Sequence, residues 1–152
     1  MKTRRDFIKK TAAGSAALSL GGLIMPSMGY SNILGANDKI NVAVIGVRSR
    51  AKAHFVAINQ DPNAKVLYSC DVDDKILEEH NVWCKKNIGY IPKVEKDFRK
   101  ILEDKNVDAV FIATPEHWHA PMAIMALQAG KHVYVEKPCS HNPHENELLV
   151  AA

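Results

Sequence analysis

Lys137 is the residue best placed by type and spacing to do chemistry. It closes the run Val133-Tyr-Val-Glu136-Lys137-Pro138, which reads as a buried strand with a lysine at its C-terminal end, where an open α/β sheet holds its ligand. An ammonium there can hydrogen-bond a hydroxyl and stabilise the charge that develops on its oxygen. The plain alternative is a surface lysine with a packed stem and a solvated head. Pro138 fixes the chain direction, and a cis Lys-Pro bond suits so sharp a turn.

A second group of residues points to what lies beside that lysine. Gly46-Val47-Arg48-Ser49-Arg50-Ala51 occupies a strand-to-helix turn of the G-x-G-x-x-G/A kind, in which a pyrophosphate rests against helix N–H groups. Gly46 serves the tight turn and Ala51 the close helix packing, but Arg48 stands where the second glycine lets the backbone approach phosphates. Arg48 or Arg50 either offers a guanidinium to the pyrophosphate or is a solvated surface arginine. Asp71 ends the next strand 25 residues after Gly46, near the spacing at which an acidic residue meets the adenosine ribose hydroxyls. Its charge would repel a 2′-phosphate and so favours NAD over NADP, with NADP still open; the competing role is a helix cap before Asp73. Beside a nicotinamide, Lys137 would stabilise an alkoxide as hydride leaves.

His117-x-His119 invites comparison with a metal pair, yet an extended backbone points the two rings apart, and no Cys or acidic cluster completes a tetrahedral set. No metal is expected. His119 is read as a loop residue near the cofactor with Trp118 packed under it, or else as purely structural. Cys70, Cys84 and Cys139 are odd in number and lack C-x-x-C spacing, which argues against a disulfide framework or zinc knuckle.

The elements that must position these groups alternate along the chain. Ile40 to Ile45 is a continuous apolar run, as in a strand buried on both faces. A helix over 51–60 stops at Asp61-Pro62-Asn63. Further strands are predicted over 65–70, 91–94, 108–113 and 132–136, and helices over 73–86, 96–104 and 121–129, with another opened by Asn142-Pro143. Strand-helix alternation with short connections predicts right-handed βαβ units in a doubly wound parallel sheet of Rossmann type. The last helix has no following strand to complete the sheet, which reads as a fragment, truncated before a further domain.

The 152 residues allow one domain with a real core, and the apolar share of 47% suits a globular protein. The net charge of +3 is a regional effect: residues 1–29 hold five of the 20 Lys/Arg and one of the 17 Asp/Glu, leaving 15 against 16. No nucleic-acid partner is indicated. Thr3-Arg-Arg-Asp-Phe-Ile-Lys9 leads into a Gly/Ala/Leu stretch over 11–25 that is too short and weakly apolar for a membrane span. It reads as a twin-arginine export signal, with Ser27 and Gly29 suiting a cut before Tyr30 and Ala36 another candidate. Residues 1–36 are thus expected to be signal and linker, 37–152 the nucleotide-binding domain, and the location periplasmic.

Together these residues resemble the Gfo/Idh/MocA family of glucose-fructose oxidoreductase and inositol dehydrogenase, from about Lys39 to the last residue. The most specific part is Ala113-Thr114-Pro115-x-x-x-His119-x-x-x-Ala123-x-x-Ala126-Leu127-x-x-Gly130-Lys-His132-Val133-x-x-Glu136-Lys137-Pro138; the glycine turn departs at Arg48. The resemblance implies an N-terminal NAD(P)-binding domain, contacts to the cofactor from Thr114, Pro115, His119 and Glu136, and a Lys137 that touches both nicotinamide and a sugar or cyclitol. It also implies a C-terminal α/β domain, absent here, that supplies the catalytic base and the oligomer interface. This chain alone is therefore expected to show no turnover. The other functions weighed are an NAD-dependent glycoside hydrolase on a related scaffold, whose members look to lack this lysine, and a non-catalytic sugar or nucleotide sensor.

Overall fold

The computed structural model describes residues 39–152; the export-signal reading of residues 1–36 lies outside the described residues. Five parallel strands, β1 (Ile40–Ile45), β2 (Ala64–Cys70), β3 (Lys93–Glu95), β4 (Ala109–Ile112) and β5 (His132–Val135), form one sheet in the order β3-β2-β1-β4-β5. The helices are α1 (Ala51–Gln60), α2 (Asp74–Asn87), α3 (Phe98–Glu103), α4 (His119–Gln128) and α5 (Pro143–Ala151), with a 3₁₀ turn at Glu116–Trp118. This is the doubly wound Rossmann-type arrangement that the alternation predicts.

Strand β1 is central, and its side chains divide the core. Val42 and Val44 pack with Phe55, Ile58, Leu77 and Cys84 of α1 and α2. Ala43 and Ile45 face the other way, toward Ile101, Leu102, Met122 and Ala123 of α3 and α4. Burial on both faces explains why this strand is apolar throughout rather than alternating.

Several boundaries shift for physical reasons. Strand β3 begins at Lys93 instead of Ile91, where it pairs with Tyr68–Cys70; Pro92 has no N–H to give a ladder. Asp97 and Asp73 precede their helices instead of lying in them, and each accepts first-turn N–H groups as an N-cap. Helix α4 starts at His119, so Pro121 sits in its first turn, where no intrahelical N–H bond is lost. Strand β5 ends at Val135, although the Glu136 amide still donates to the Ile112 carbonyl at 2.9 Å.

Parallel strands leave all their C-terminal ends on one edge. Strand order reverses direction between β1 and β4, whose loops therefore diverge around a crevice at that edge. Among the described residues no helix is long and apolar enough to cross a membrane.

Candidate functional site

The turn after β1 is built around Gly46. Its φ is +83°, and a Cβ there would lie 2.7–2.8 Å from Ala113 O, Ala113 C and Thr114 N. Only glycine fits, for conformation and for space. Val47 is buried, while Arg48, Ser49 and Arg50 are exposed. Arg50 is the N-cap of α1 and makes no side-chain capping bond, so the first-turn N–H groups lack a side-chain acceptor and face the edge where an anion would be held.

Arg48 occupies the second-glycine position without backbone penalty, because no non-glycine residue described has positive φ. Its guanidinium pairs with Asp73 at 3.3 Å in an exposed contact, which contributes little by itself. Asp71 is tied down more firmly. Its Oδ2 accepts the Val47 N–H at 3.1 Å and its Oδ1 the Asp73 N–H at 3.2 Å. The helix cap is Asp73, which leaves Asp71 at the end of β2 and next to the glycine turn, as its spacing predicts.

His119 departs from expectation. It is the first residue of α4 and 3% exposed, not a loop residue, and Trp118 does not pack under it: that indole is 46% exposed, with its ring against His117. The reason is hydrogen bonding. Nδ1 lies 2.6 Å from the Pro138 carbonyl and Nε2 2.8 Å from the Thr114 carbonyl. A neutral imidazole has one N–H, so it donates to one of these oxygens; donation to both requires the doubly protonated ring. The ring thus joins the loop after β4 to the loop after β5. With both nitrogens of His119 turned to carbonyls, the His-x-His pair does not converge on a common point, and among the described residues no cluster of three metal-ligating side chains occurs.

Glu136, Lys137 and Pro138 stand side by side in the second of those loops, and the Lys137-Pro138 bond is cis. Glu136 is 8% exposed and accepts from Arg50 Nε at 2.6 Å through Oε1; His54 Nε2 lies 2.9 Å from the same oxygen. The Arg50 guanidinium holds the Glu136 carboxyl below the usual carboxylate range, against the opposing effect of burial. Lys137 itself is exposed. Thr114 turns its hydroxyl to Met122 Sδ at 3.8 Å, and Pro115 leads into the 3₁₀ turn.

The structure therefore brings Gly46, Val47, Asp71, Thr114 and the Glu136–Pro138 segment to one edge of the sheet. Arg48 and Arg50 are there too, but engaged by carboxylates. Sequence reasoning missed His54. The available signal was its spacing from Arg50, four residues on and one helical turn away. A separate depression of about 470 Å³, lined by Lys39, Gln60, Pro62, Lys65 and Tyr90, opens at the opposite end of the sheet and holds none of these groups.

A parallel sheet with this strand order, a glycine turn that a Cβ would obstruct, a helix end without a side-chain cap and an acidic residue after β2 defines a dinucleotide-binding domain, and these residues fit that ligand. Residues 40–152 match the family model for the oxidoreductase family with NAD-binding Rossmann fold, Gfo/Idh/MocA. The chain belongs to this NAD-binding family.

Among curated proteins it is 32% identical over 136 residues to a glycosyl hydrolase family 109 protein of Shewanella pealeana, covering 86% of this chain and 27% of that one. It is 30% identical over 141 residues to one of Parabacteroides distasonis, covering 84% and 30%. Among solved structures it resembles the WlbA dehydrogenase of Bordetella pertussis in complex with NADH and UDP-GlcNAcA, at TM-score 0.66 and 29% identity over 75% of this chain and 33% of that one. It also resembles myo-inositol 2-dehydrogenase of Lactobacillus plantarum, at TM-score 0.64 and 26% identity over 75% and 32%. The chain spans about a third or less of the length of these relatives.

Proposed function

We propose that this chain is the nucleotide-binding part of an NAD-dependent oxidoreductase that acts on a sugar, cyclitol or sugar derivative. The observation that carries this reading is the His119 bridge, which sets the Lys137 loop beside the Thr114 loop, the latter bordering the crevice between β1 and β4 where the strand order reverses. When bound, the cofactor supplies a hydride acceptor in its nicotinamide ring. The chain's own residues do the rest. The Gly46 and Val47 amides donate to Cys70 O and Asp71 Oδ2, so the later N–H groups of the turn and those of the first turn of α1 would hold the pyrophosphate. Asp71 has lone pairs left for ribose hydroxyls, and its charge disfavours a 2′-phosphate. The Lys137 ammonium donates to the substrate oxygen and stabilises it as negative charge builds. The dehydrogenase names of the two solved relatives support this substrate class.

The test is hydride transfer by the full-length protein from a panel of sugars, cyclitols and sugar nucleotides, followed through NADH absorbance. A Lys137→Ala variant is expected to lose on the order of 10²-fold or more in kcat with NAD binding retained; unaltered turnover in that variant would refute the role of the lysine.

A second reading, an NAD-dependent glycoside hydrolase, rests on the glycosyl hydrolase names of several relatives. Lys137 weighs against it. Release of aryl alcohol from aryl glycosides with no net NADH would select it.

For residues 1–36 the proposal is export by the twin-arginine route, on the order of Arg4-Arg5, Phe7 and the following apolar stretch. Replacing both arginines by lysine should leave the protein in the cytoplasm, and export of that variant would refute it.

A further inference from the structure

We propose, on the dinucleotide reading above, that Arg50 is a positioning residue that transmits the placement of the glycine turn to Lys137 through the Glu136 carboxylate.

Lys137 lies between two held neighbours. On one side, Glu136 presents a single oxygen to both Arg50 Nε at 2.6 Å and His54 Nε2 at 2.9 Å. On the other, the Pro138 carbonyl is 2.6 Å from His119, whose second nitrogen is 2.8 Å from Thr114 O. The Lys137 side chain itself makes no hydrogen bond or ion pair among the described residues. Its backbone is fixed from both sides, and its ammonium is left available.

The two anchors reach different parts of the molecule. His119 fixes the segment to β4. Glu136 fixes it to α1, across 86 residues of chain, at the residue that caps the helix directly after the glycine turn. Arg50 and His54 are one helical turn apart and both approach that oxygen, but Arg50 alone hydrogen-bonds it, while His54 Nε2 makes no hydrogen bond among the described residues. The His54 ring is set edge-on against Phe111 at 5.5 Å and Tyr134 at 5.2 Å, and those two rings stack at 4.8 Å. Aromatic neighbours on β4 and β5 thus fix the imidazole that lies beside the carboxylate.

Glu136 is 8% exposed, and a buried charge without partners is costly. Glu136 is therefore bound to follow Arg50. A phosphate group seated on the turn moves or stiffens Arg50, hence Glu136, hence the adjacent Lys137.

The experiment uses the whole chain with reductively ¹³C-methylated lysines, the Lys137 signal being assigned with Lys137→Arg. The probe is ADP, which has the adenosine and both phosphates but no second ribose or nicotinamide to touch the lysine. Saturation with ADP is expected to shift or sharpen the Lys137 signal. In Glu136→Gln the response should disappear at the same occupancy, and in Arg50→Gln, a change at an exposed side chain, it should fall by at least half. A full response in both variants, or no response in the unaltered chain saturated with ADP, overturns the coupling. Absence of ADP binding by calorimetry overturns the dinucleotide reading itself, and the coupling with it.

Discussion

The Val47 amide donates to Asp71 Oδ2 at 3.1 Å, which ties the glycine turn to the end of β2. On the proposed dinucleotide reading, one carboxylate therefore serves two ends: it holds the loop that would receive phosphates and lies where a ribose would be recognised. Asp71→Ala removes a charge-assisted acceptor, a loss of about 1.5–3 kcal/mol, and is expected to weaken NADH binding by roughly 10- to 100-fold. NADPH should lose less, because the repulsion of its 2′-phosphate goes as well. Calorimetric titration with both nucleotides checks this, and equal losses for the two would contradict the specificity role.

Gly46 tolerates no side chain. Alanine would bring both a positive φ and a Cβ 2.7 Å from Ala113 O, and the obstructing atoms are backbone of the neighbouring strand end. Strain of about 1–2 kcal/mol from conformation and a further 1–3 from overpacking predict a loss of roughly 3 kcal/mol in urea unfolding. A midpoint unchanged by Gly46→Ala would show that the turn relaxes freely.

How far the sequence could be read differed between backbone and side chains. Apolar runs such as 40–45 and the punctuation at Asp61-Pro62 and Asn142-Pro143 report local physics, and the order of elements follows from them. Gly46 and Asp71 were legible for the same reason, since a turn and a strand end fix their places. His119 was not. Its hydrogen bonds go to carbonyls five and nineteen residues away, and nothing in its neighbours' types announces backbone partners. The engagement of Arg50 by Glu136 was hidden likewise, because it joins residues that meet only after the sheet has formed.

The His119 bridge predicts a large stability effect at a residue without an apolar role. His119→Phe keeps a ring but removes the N–H given to one of the Thr114 and Pro138 carbonyls, and a polar group left unsatisfied on burial costs about 1–3 kcal/mol. A loss of roughly 1–3 kcal/mol is expected in chemical denaturation, together with faster amide exchange over 136–140. Wild-type stability in that variant would mean that the imidazole contacts contribute nothing.

His80 predicts the acid limb of the stability profile. It is 2% exposed, stacked on Trp83 at 5.5 Å and edge-on to Phe55 at 4.5 Å, and neither ring nitrogen has a hydrogen-bond partner. Burial, reinforced by the charge of Lys52 and opposed by Asp71, pushes the imidazole from 6.5 down to about 4. Between those values the unfolded chain binds a proton that the fold refuses, so stability is fully present above pH 6.5 and declines as pH falls toward 4. Carboxylates held below their ordinary range, such as Glu136, Asp97 and Asp104, act at lower pH: their contribution is kept above the unfolded value and lost as pH drops through the folded one. The two effects separate by window. His80→Phe should flatten urea midpoints between pH 6.5 and 4.5 and leave the fall below pH 4 in place. Parallel curves for the variant and the unaltered protein across the upper window would show that the buried imidazole takes up its proton without cost to the fold.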